Sequence, residues 1–109
     1  MEQPPKSVAI TGASGYVGAR LLRKLEDEED ISKLVAIDTL PPTVPIRNMA
    51  AYRMSVTKPI DDALSRHNVS TVVHLAFIAR RGRNRQDVDS IRETNLAALE
   101  SVLESSARA

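Results

Sequence analysis

Three of the four glycines in this 109-residue chain, Gly12, Gly15 and Gly18, fall within seven consecutive residues. They follow the compact apolar run Ser7-Val8-Ala9-Ile10. They precede Val17, Leu21, Leu22 and Leu25, which recur at helical spacing with Arg20, Arg23 and Lys24 placed elsewhere. A strand, a glycine-rich turn and a helix in direct succession admit few folds. Gly12 suits a sharp turn with positive φ, which other residues resist. Gly15 lacks a Cβ, so a pyrophosphate can come close to the backbone. Gly18 lets the helix pack tightly on the strand. The helix start then offers free N–H groups and the positive end of its dipole to the anion, and Ser14 can add a hydroxyl donor. The competing reading is a tight turn that binds nothing.

The rest of the chain repeats the alternation. Lys33-Leu34-Val35-Ala36-Ile37-Asp38 reads as a second strand, followed by a proline-rich loop with Pro41, Pro42 and Pro45. Ala51 to Val56 is a short third strand. Ile60, Ala63, Leu64 and His67 stand at helical spacing and predict a short helix from Pro59 to about His67. Thr71-Val72-Val73-His74-Leu75-Ala76-Phe77 is the clearest strand of all. A long helix is predicted from about Asp87 to Ala107, its apolar face carrying Val88, Ile91, Leu99 and Val102, widened by Leu96 and Leu103. Strands alternating with helices predict an α/β fold with a parallel sheet and right-handed crossovers.

Composition agrees. Aromatic residues make up 3% of the chain, so Val, Leu, Ile and Ala do the packing, as suits strands buried on both faces. The formal net charge of +1 provides no field to recruit nucleic acid or a membrane surface. There is no cysteine, hence no disulfide or thiolate metal site, and no His/Asp/Glu spacing suggests another metal centre. No apolar stretch approaches the roughly 20 residues that span a bilayer. Residues 1–6, with Pro4 and Pro5, read as a disordered lead-in without an apolar signal region. A cytoplasmic protein is the default expectation.

The turn Thr11-Gly12-Ala13-Ser14-Gly15-Tyr16-Val17-Gly18 has the spacing T-G-x-x-G-x-x-G. It resembles the glycine motif of the extended short-chain dehydrogenase/reductase superfamily, the NAD-dependent epimerases and dehydratases. The resemblance runs from Ser7 to about Ala107: His74-Leu75-Ala76 matches the strand-four H-L-A motif, and Asn95 in Thr94-Asn95-Leu96 matches the helix asparagine that follows it. It implies a Rossmann-like doubly wound parallel sheet. Four strands in the order 3-2-1-4 are expected here against the usual six, leaving the sheet incomplete. Residues 1–109 are thus expected to be the N-terminal part of an NAD(P)-binding Rossmann domain from a longer protein.

Asp38 ends strand two, 20 residues after Gly18, where a carboxylate can accept hydrogen bonds from the adenosine ribose and repel the 2′-phosphate of NADP. NAD is therefore expected over NADP, and FMN, which has no adenosine ribose, is disfavoured. Arg20 and Arg47 are candidate phosphate contacts that nothing in the sequence selects. The family places an aspartate at the end of strand three near the adenine. Ser55 stands at that position with Val56 beside it, so the contact there carries no charge. Leu75, Ala76 and Phe77 are expected to line the cofactor by backbone and apolar contact. The cofactor set is thus Gly12, Ser14, Gly15, Tyr16, Val17, Gly18, Asp38, Ser55, Val56, Leu75, Ala76, Phe77 and Asn95.

Other polar residues read more plainly. His74, within an apolar strand, is expected to be a buried structural histidine, and His67 a helix-end dipole partner. The run Glu26 to Asp30 is a solvated helix end. Asn95 has two readings: it orders the active site, or it caps a backbone group at the sheet end. Arg80, Arg81, Arg83 and Arg85 also have two readings: recognition of an anionic substrate such as a nucleotide-sugar phosphate, or a solvated loop that orders only on binding. Without interleaved aromatics the cluster does not suit nucleic acid.

The family's catalytic Tyr-x-x-x-Lys pair is absent from these residues: Tyr16 is followed at that spacing by Arg20 and Tyr52 by Val56. No catalytic residue is assigned. The resemblance implies an NAD-dependent epimerase, dehydratase or reductase acting on a nucleotide-sugar or similar small molecule, and a homodimer through helices near the C-terminal edge. The alternative is a non-catalytic Rossmann sensor or regulator. A downstream Tyr-x-x-x-Lys pair discriminates the two.

Overall fold

The computed structural model describes residues 5–109; of the lead-in expected over residues 1–6, the first four lie outside the described residues, and Lys6 already belongs to a strand. The elements in chain order are β1 (Lys6–Thr11), α1 (Tyr16–Glu26), β2 (Ile31–Asp38), β3 (Met49–Arg53), α2 (Asp61–Arg66), β4 (Thr71–His74) and α3 (Arg85–Arg108). The strands form one parallel sheet in the order β3-β2-β1-β4. This is an open Rossmann-like α/β fold, with β1 central and the chain reversing direction across the sheet after β3.

Alternation along β1 and β2 divides the core. Val8, Ile10, Leu34 and Ala36 face α1 and pack on Leu22. Ala9, Val35 and Ile37 face the other way and pack on Leu64 of α2 and on Ala98 and Val102 of α3. The sheet is therefore covered on both faces. Register brings Thr11 level with Ile37 and with His74, and Asp38 level with Arg53. These residues form the carboxyl edge of the sheet, at the strand-order reversal between β1 and β4 where such folds bind ligands.

Several expectations are corrected. Val17 is 61% exposed rather than part of the buried face of α1, which rests on Gly18 and Leu22 with Leu21 and Leu25 half-buried. β3 begins and ends earlier than Ala51–Val56. After Met54 N–H donates to Asp38 O (2.9 Å), the chain turns over Ser55 to Lys58 and drives Val56 and Ile60 into the core. β4 stops at His74 because its neighbour β1 stops at Thr11. On α3 the buried residues are Ala98, Val102 and Ser105, small side chains that let the helix lie close to the sheet. Val88, Leu96, Leu99 and Leu103, expected on the core face, are 41%, 52%, 41% and 60% exposed. Buried Ser105 instead accepts a hydrogen bond from Ile60 N–H (3.0 Å), securing the start of α2.

Candidate functional site

A cleft of about 370 Å³ opens at the carboxyl edge, within the range of small-molecule sites. One wall is the glycine turn. Gly12 has φ of +73°, and a Cβ there would lie 2.7 Å from the carbonyl of Leu75, so the turn and the chain after β4 are in backbone contact. Gly18 touches the same turn: a Cβ would overlap the Gly12 carbonyl oxygen and lie 2.8 Å from Ala13 Cα. Gly15 differs. Its φ of −76° and ψ of 173° are open to any residue, and a Cβ would meet only the Gly12 oxygen at 3.4 Å. Gly15 is also the N-cap of α1. No side chain caps this helix and no acidic residue occupies its first turn, so its first N–H groups have only solvent or a ligand to bond.

Asp38 ends β2 on the second wall. Its Oδ2 accepts from Ser14 N–H and its Oδ1 from Leu40 N–H, both at 3.0 Å. The Ser14 hydroxyl shares its proton between the carbonyls of Pro41 (2.8 Å) and Leu40 (3.0 Å). The glycine turn and the loop after β2 are thus tied together by Ser14, and Asp38 keeps lone pairs free towards the cleft. Beyond β3, Ser55 and Val56 line the cleft with Met54 and Thr57. Ser55 Oγ is engaged with Thr57 Oγ1 (2.7 Å).

The third wall is Leu75, Ala76, Phe77 and Ile78, the chain that leaves β4. Asn95 holds it: its Oδ1 accepts from Ile78 N–H (2.7 Å) and its Nδ2 donates to Ile78 O (3.1 Å). Both the oxygen and the nitrogen of the Asn95 amide are spent on one backbone residue of this wall. The wall is also held from β1. Thr11, fully buried, accepts at Oγ1 from Leu75 N–H (3.0 Å) and Ala76 N–H (3.2 Å) and lies 2.7 Å from His74 Nδ1. Burial pushes the His74 imidazole below its ordinary value.

Of the expected set, Gly12, Ser14, Gly15, Asp38, Ser55, Val56, Leu75, Ala76, Phe77 and Asn95 line this cleft. Tyr16, Val17 and Gly18 do not. Tyr16 and Val17 point outward from α1, with the Arg20 guanidinium 5.2 Å above the Tyr16 ring. Arg47 sits at the far end of α1 and pairs with Asp27 (2.7 Å). His67 meets Tyr52 Oη at Nε2 (2.7 Å). Sequence reasoning missed Leu40, Ile78 and Thr94 on the cleft and the work of Thr11 behind it. For Thr11 the signal was present: a hydroxyl residue closing an apolar strand needs partners.

The arginine loop is ordered by its own contacts. Asp87 takes Arg80 in a two-toothed pair (2.7 and 2.9 Å) and the N–H of Arg83 (2.8 Å), while Asn84 caps α3 by accepting from Asp87 N–H (2.9 Å). The Arg80 guanidinium and then the Arg83 N–H hold the Asp87 carboxyl far below the usual carboxylate range. Arg80 and Arg83 are therefore engaged, and Arg81 and Arg85 remain exposed. Among the described residues no group of three His, Cys, Asp or Glu could hold a metal, and no helix is long and apolar enough to cross a membrane.

The same fold occurs in solved structures. A short chain dehydrogenase from Leptospira borgpetersenii with bound NAD+ superposes with a TM-score of 0.78 at 19% identity, covering 98% of this chain and 46% of that one. WbmG from Bordetella bronchiseptica in complex with NAD gives 0.78 at 18% identity, over 98% and 35%. A UDP-glucose 4-epimerase gives 0.79 at 22% identity, over 94% and 32%. The chain thus spans less than half the length of these proteins. No curated protein matches it. A family model matches residues 8–109, nearly the whole described sequence, and by that match the chain belongs to the NAD dependent epimerase/dehydratase family.

Proposed function

We propose that this chain is the N-terminal, dinucleotide-binding part of an oxidoreductase. In this reading it holds NAD across the carboxyl edge between β1 and β4. Gly15 carries the reading. Neither its dihedral angles nor its packing calls for glycine, whereas a pyrophosphate approaching the uncapped start of α1 does. Gly12 and Gly15 would flank the pyrophosphate, with the N–H groups of Tyr16, Val17 and Gly18 beneath it, while Ser14, its N–H and hydroxyl spent on Asp38 and the loop after β2, would hold the turn in place. Asp38 would accept from the adenosine ribose hydroxyls. Ser55 and Val56 would flank the adenine, and Leu75 to Phe77 would line the path towards the nicotinamide, held by Asn95. The bound nicotinamide supplies hydride transfer; the residues here bind and orient it. Structures of this fold hold NAD, and WbmG is also solved with NAD and UDP together, which favours a nucleotide-sugar substrate for the whole protein.

Calorimetry with NAD and NADP tests the assignment. NAD binds more tightly than NADP, and Asp38→Ala weakens NAD by about 1–3 kcal/mol, the cost of leaving hydroxyl groups unpaired. Equal affinities in the parent chain, or tighter NADP, would sink the role of Asp38.

Leu96, Leu99 and Leu103 form an exposed stripe along α3, and we assign it to a second copy of the chain. In sedimentation the parent chain runs as a dimer and Leu99→Glu as a monomer. A monomeric parent at high concentration rules the interface out.

A further inference from the structure

We propose that His74 is a positioning residue whose protonation releases one wall of the cleft, so that the chain holds dinucleotide at neutral pH and loosens it as the medium turns mildly acidic. The proposal rests on the dinucleotide reading for its ligand, and on Thr11 for its geometry. A hydroxyl has two lone pairs and one proton. At Thr11 Oγ1 the lone pairs are taken by the N–H groups of Leu75 and Ala76, which can only donate. The single proton is left for His74 Nδ1, 2.7 Å away. Nδ1 must therefore carry a lone pair and the ring proton must sit on Nε2. The neutral ring in that one tautomer is what completes the network.

An imidazolium carries a proton on both nitrogens. Nδ1–H would then face the Thr11 O–H, donor against donor. Relief requires the hydroxyl to turn and give up an amide. Leu75 N–H keeps a second acceptor, the Thr11 carbonyl oxygen at 3.0 Å, so it is the one released from the hydroxyl, while Ala76 N–H, which has no other acceptor, keeps its bond. Leu75 lines the cleft, and its carbonyl lies 2.7 Å from where a Gly12 Cβ would be, so a shift there reaches the glycine turn directly.

Nothing around the ring offsets a positive charge. Val72 and Ala76 share its face of β4 and pack into the cluster of Ala9, Ala98 and Val102; Val73 and Leu75 face α1. On α3 the ionisable residues Arg92, Glu93, Glu100 and Glu104 are exposed. On α2, Asp62 and Arg66 are exposed, Asp61 pairs with Arg108 and His67 with Tyr52. Lys6 stands at the opposite end of β1, and Arg20, Arg23, Lys24 and Glu26 belong to α1 on the other face. Burial alone acts on the ring and favours its neutral form. The arrangement is therefore complete above the ordinary histidine value of 6.5 and is lost as pH falls through the lower value of the folded chain.

The test is a pair of titrations on the full chain. NAD affinity, measured by calorimetry at about pH 7.5 and about pH 5.5, falls on acidification by up to about tenfold, the ceiling set by the ordinary histidine value of 6.5. In His74→Asn, whose side-chain oxygen can accept from Thr11 but cannot gain a proton, the profile is flat. A parent profile that is flat, or a variant profile that keeps the parent's slope, overturns the proposal. In the ligand-free chain, the amide signals of Leu75 and Ala76 move with the His74 ring as it titrates. Amides that ignore the ring overturn the proposal even if NAD binds. Amides that follow the ring in a chain that binds no NAD uphold the release mechanism and defeat the dinucleotide reading instead.

Discussion

Gly15→Ala folds as well as the parent chain and loses its dinucleotide, whereas Gly12→Ala and Gly18→Ala lose the fold. The three glycines share one turn but meet different constraints. At Gly12 a side chain faces positive φ, about 1–2 kcal/mol by itself, and a carbonyl carbon 2.7 Å away that belongs to backbone and cannot step aside. At Gly18 the obstacle is the Gly12 carbonyl and the Ala13 backbone. Each of these two variants is expected to cost about 3 kcal/mol or more. At Gly15 the angles are ordinary and the single neighbour is at van der Waals distance. The loss of unfolded-chain freedom favours alanine by about 0.4–1 kcal/mol, while alanine is a poorer N-cap by a similar amount. The two offset, and thermal unfolding should report a stability within about 1 kcal/mol of the parent. The added methyl sits where a pyrophosphate would approach the backbone, so NAD affinity falls at least about tenfold, or roughly 1.4 kcal/mol. Unchanged NAD binding by Gly15→Ala would remove the observation on which the functional reading rests. A Gly12→Ala variant as stable as Gly15→Ala would mean that the turn is not built as described.

Thr11→Val is the second large effect. Valine matches threonine in shape, so packing in the buried site is preserved and only the hydroxyl is lost. Ala76 N–H and His74 Nδ1 are then left without partners, at about 1–3 kcal/mol each for a buried group. Part of that is recovered because the His74 ring is not wholly enclosed, so a net loss of about 2–4 kcal/mol is expected. In a domain of this size that lowers Tm by about 10–20 °C. Thr11→Ser, which keeps the oxygen and gives up one methyl, should lose no more than about 1 kcal/mol. A valine variant that melts within a few degrees of the parent would show that the hydroxyl network contributes nothing net.

The architecture was legible where the pattern was strong. β1, β2 and β4 are apolar runs, and the glycine turn announces both the strand before it and the helix after it. β3 was misplaced because Met49-Ala50-Ala51-Tyr52-Arg53 has neither a β-branched run nor clean alternation. The buried face of α3 was misread for a different reason. Apolar periodicity marks the largest side chains, whereas the contact is made by Ala98 and Ser105, whose smallness permits close approach. In the cleft, residues next to a motif were readable and residues joined through the backbone were not. Ser14 reaches the carbonyls of Leu40 and Pro41, and Asn95 reaches the amide of Ile78. A backbone partner leaves no trace in residue identity. Thr11 and His74 each stood out, but their meeting across 63 residues depends on register, which periodicity does not report.

The parallel sheet also sets an order of assembly. β1 is central, and its two neighbours come from very different distances along the chain: Thr11 lies beside Ile37 on one side and beside His74, 63 positions away, on the other. Closing the longer loop costs about 0.8 kcal/mol more entropy. During synthesis, moreover, β4 leaves the ribosome long after β2. The half of the cleft that Asp38 belongs to is therefore available early, while the wall of Leu75 and Ala76 arrives only with β4. A ligand that needs both walls cannot guide β1 to β2. It acts afterwards, as a brake on the undocking of β4, so that its presence would lengthen the lifetime of the folded chain more than it would shorten the search.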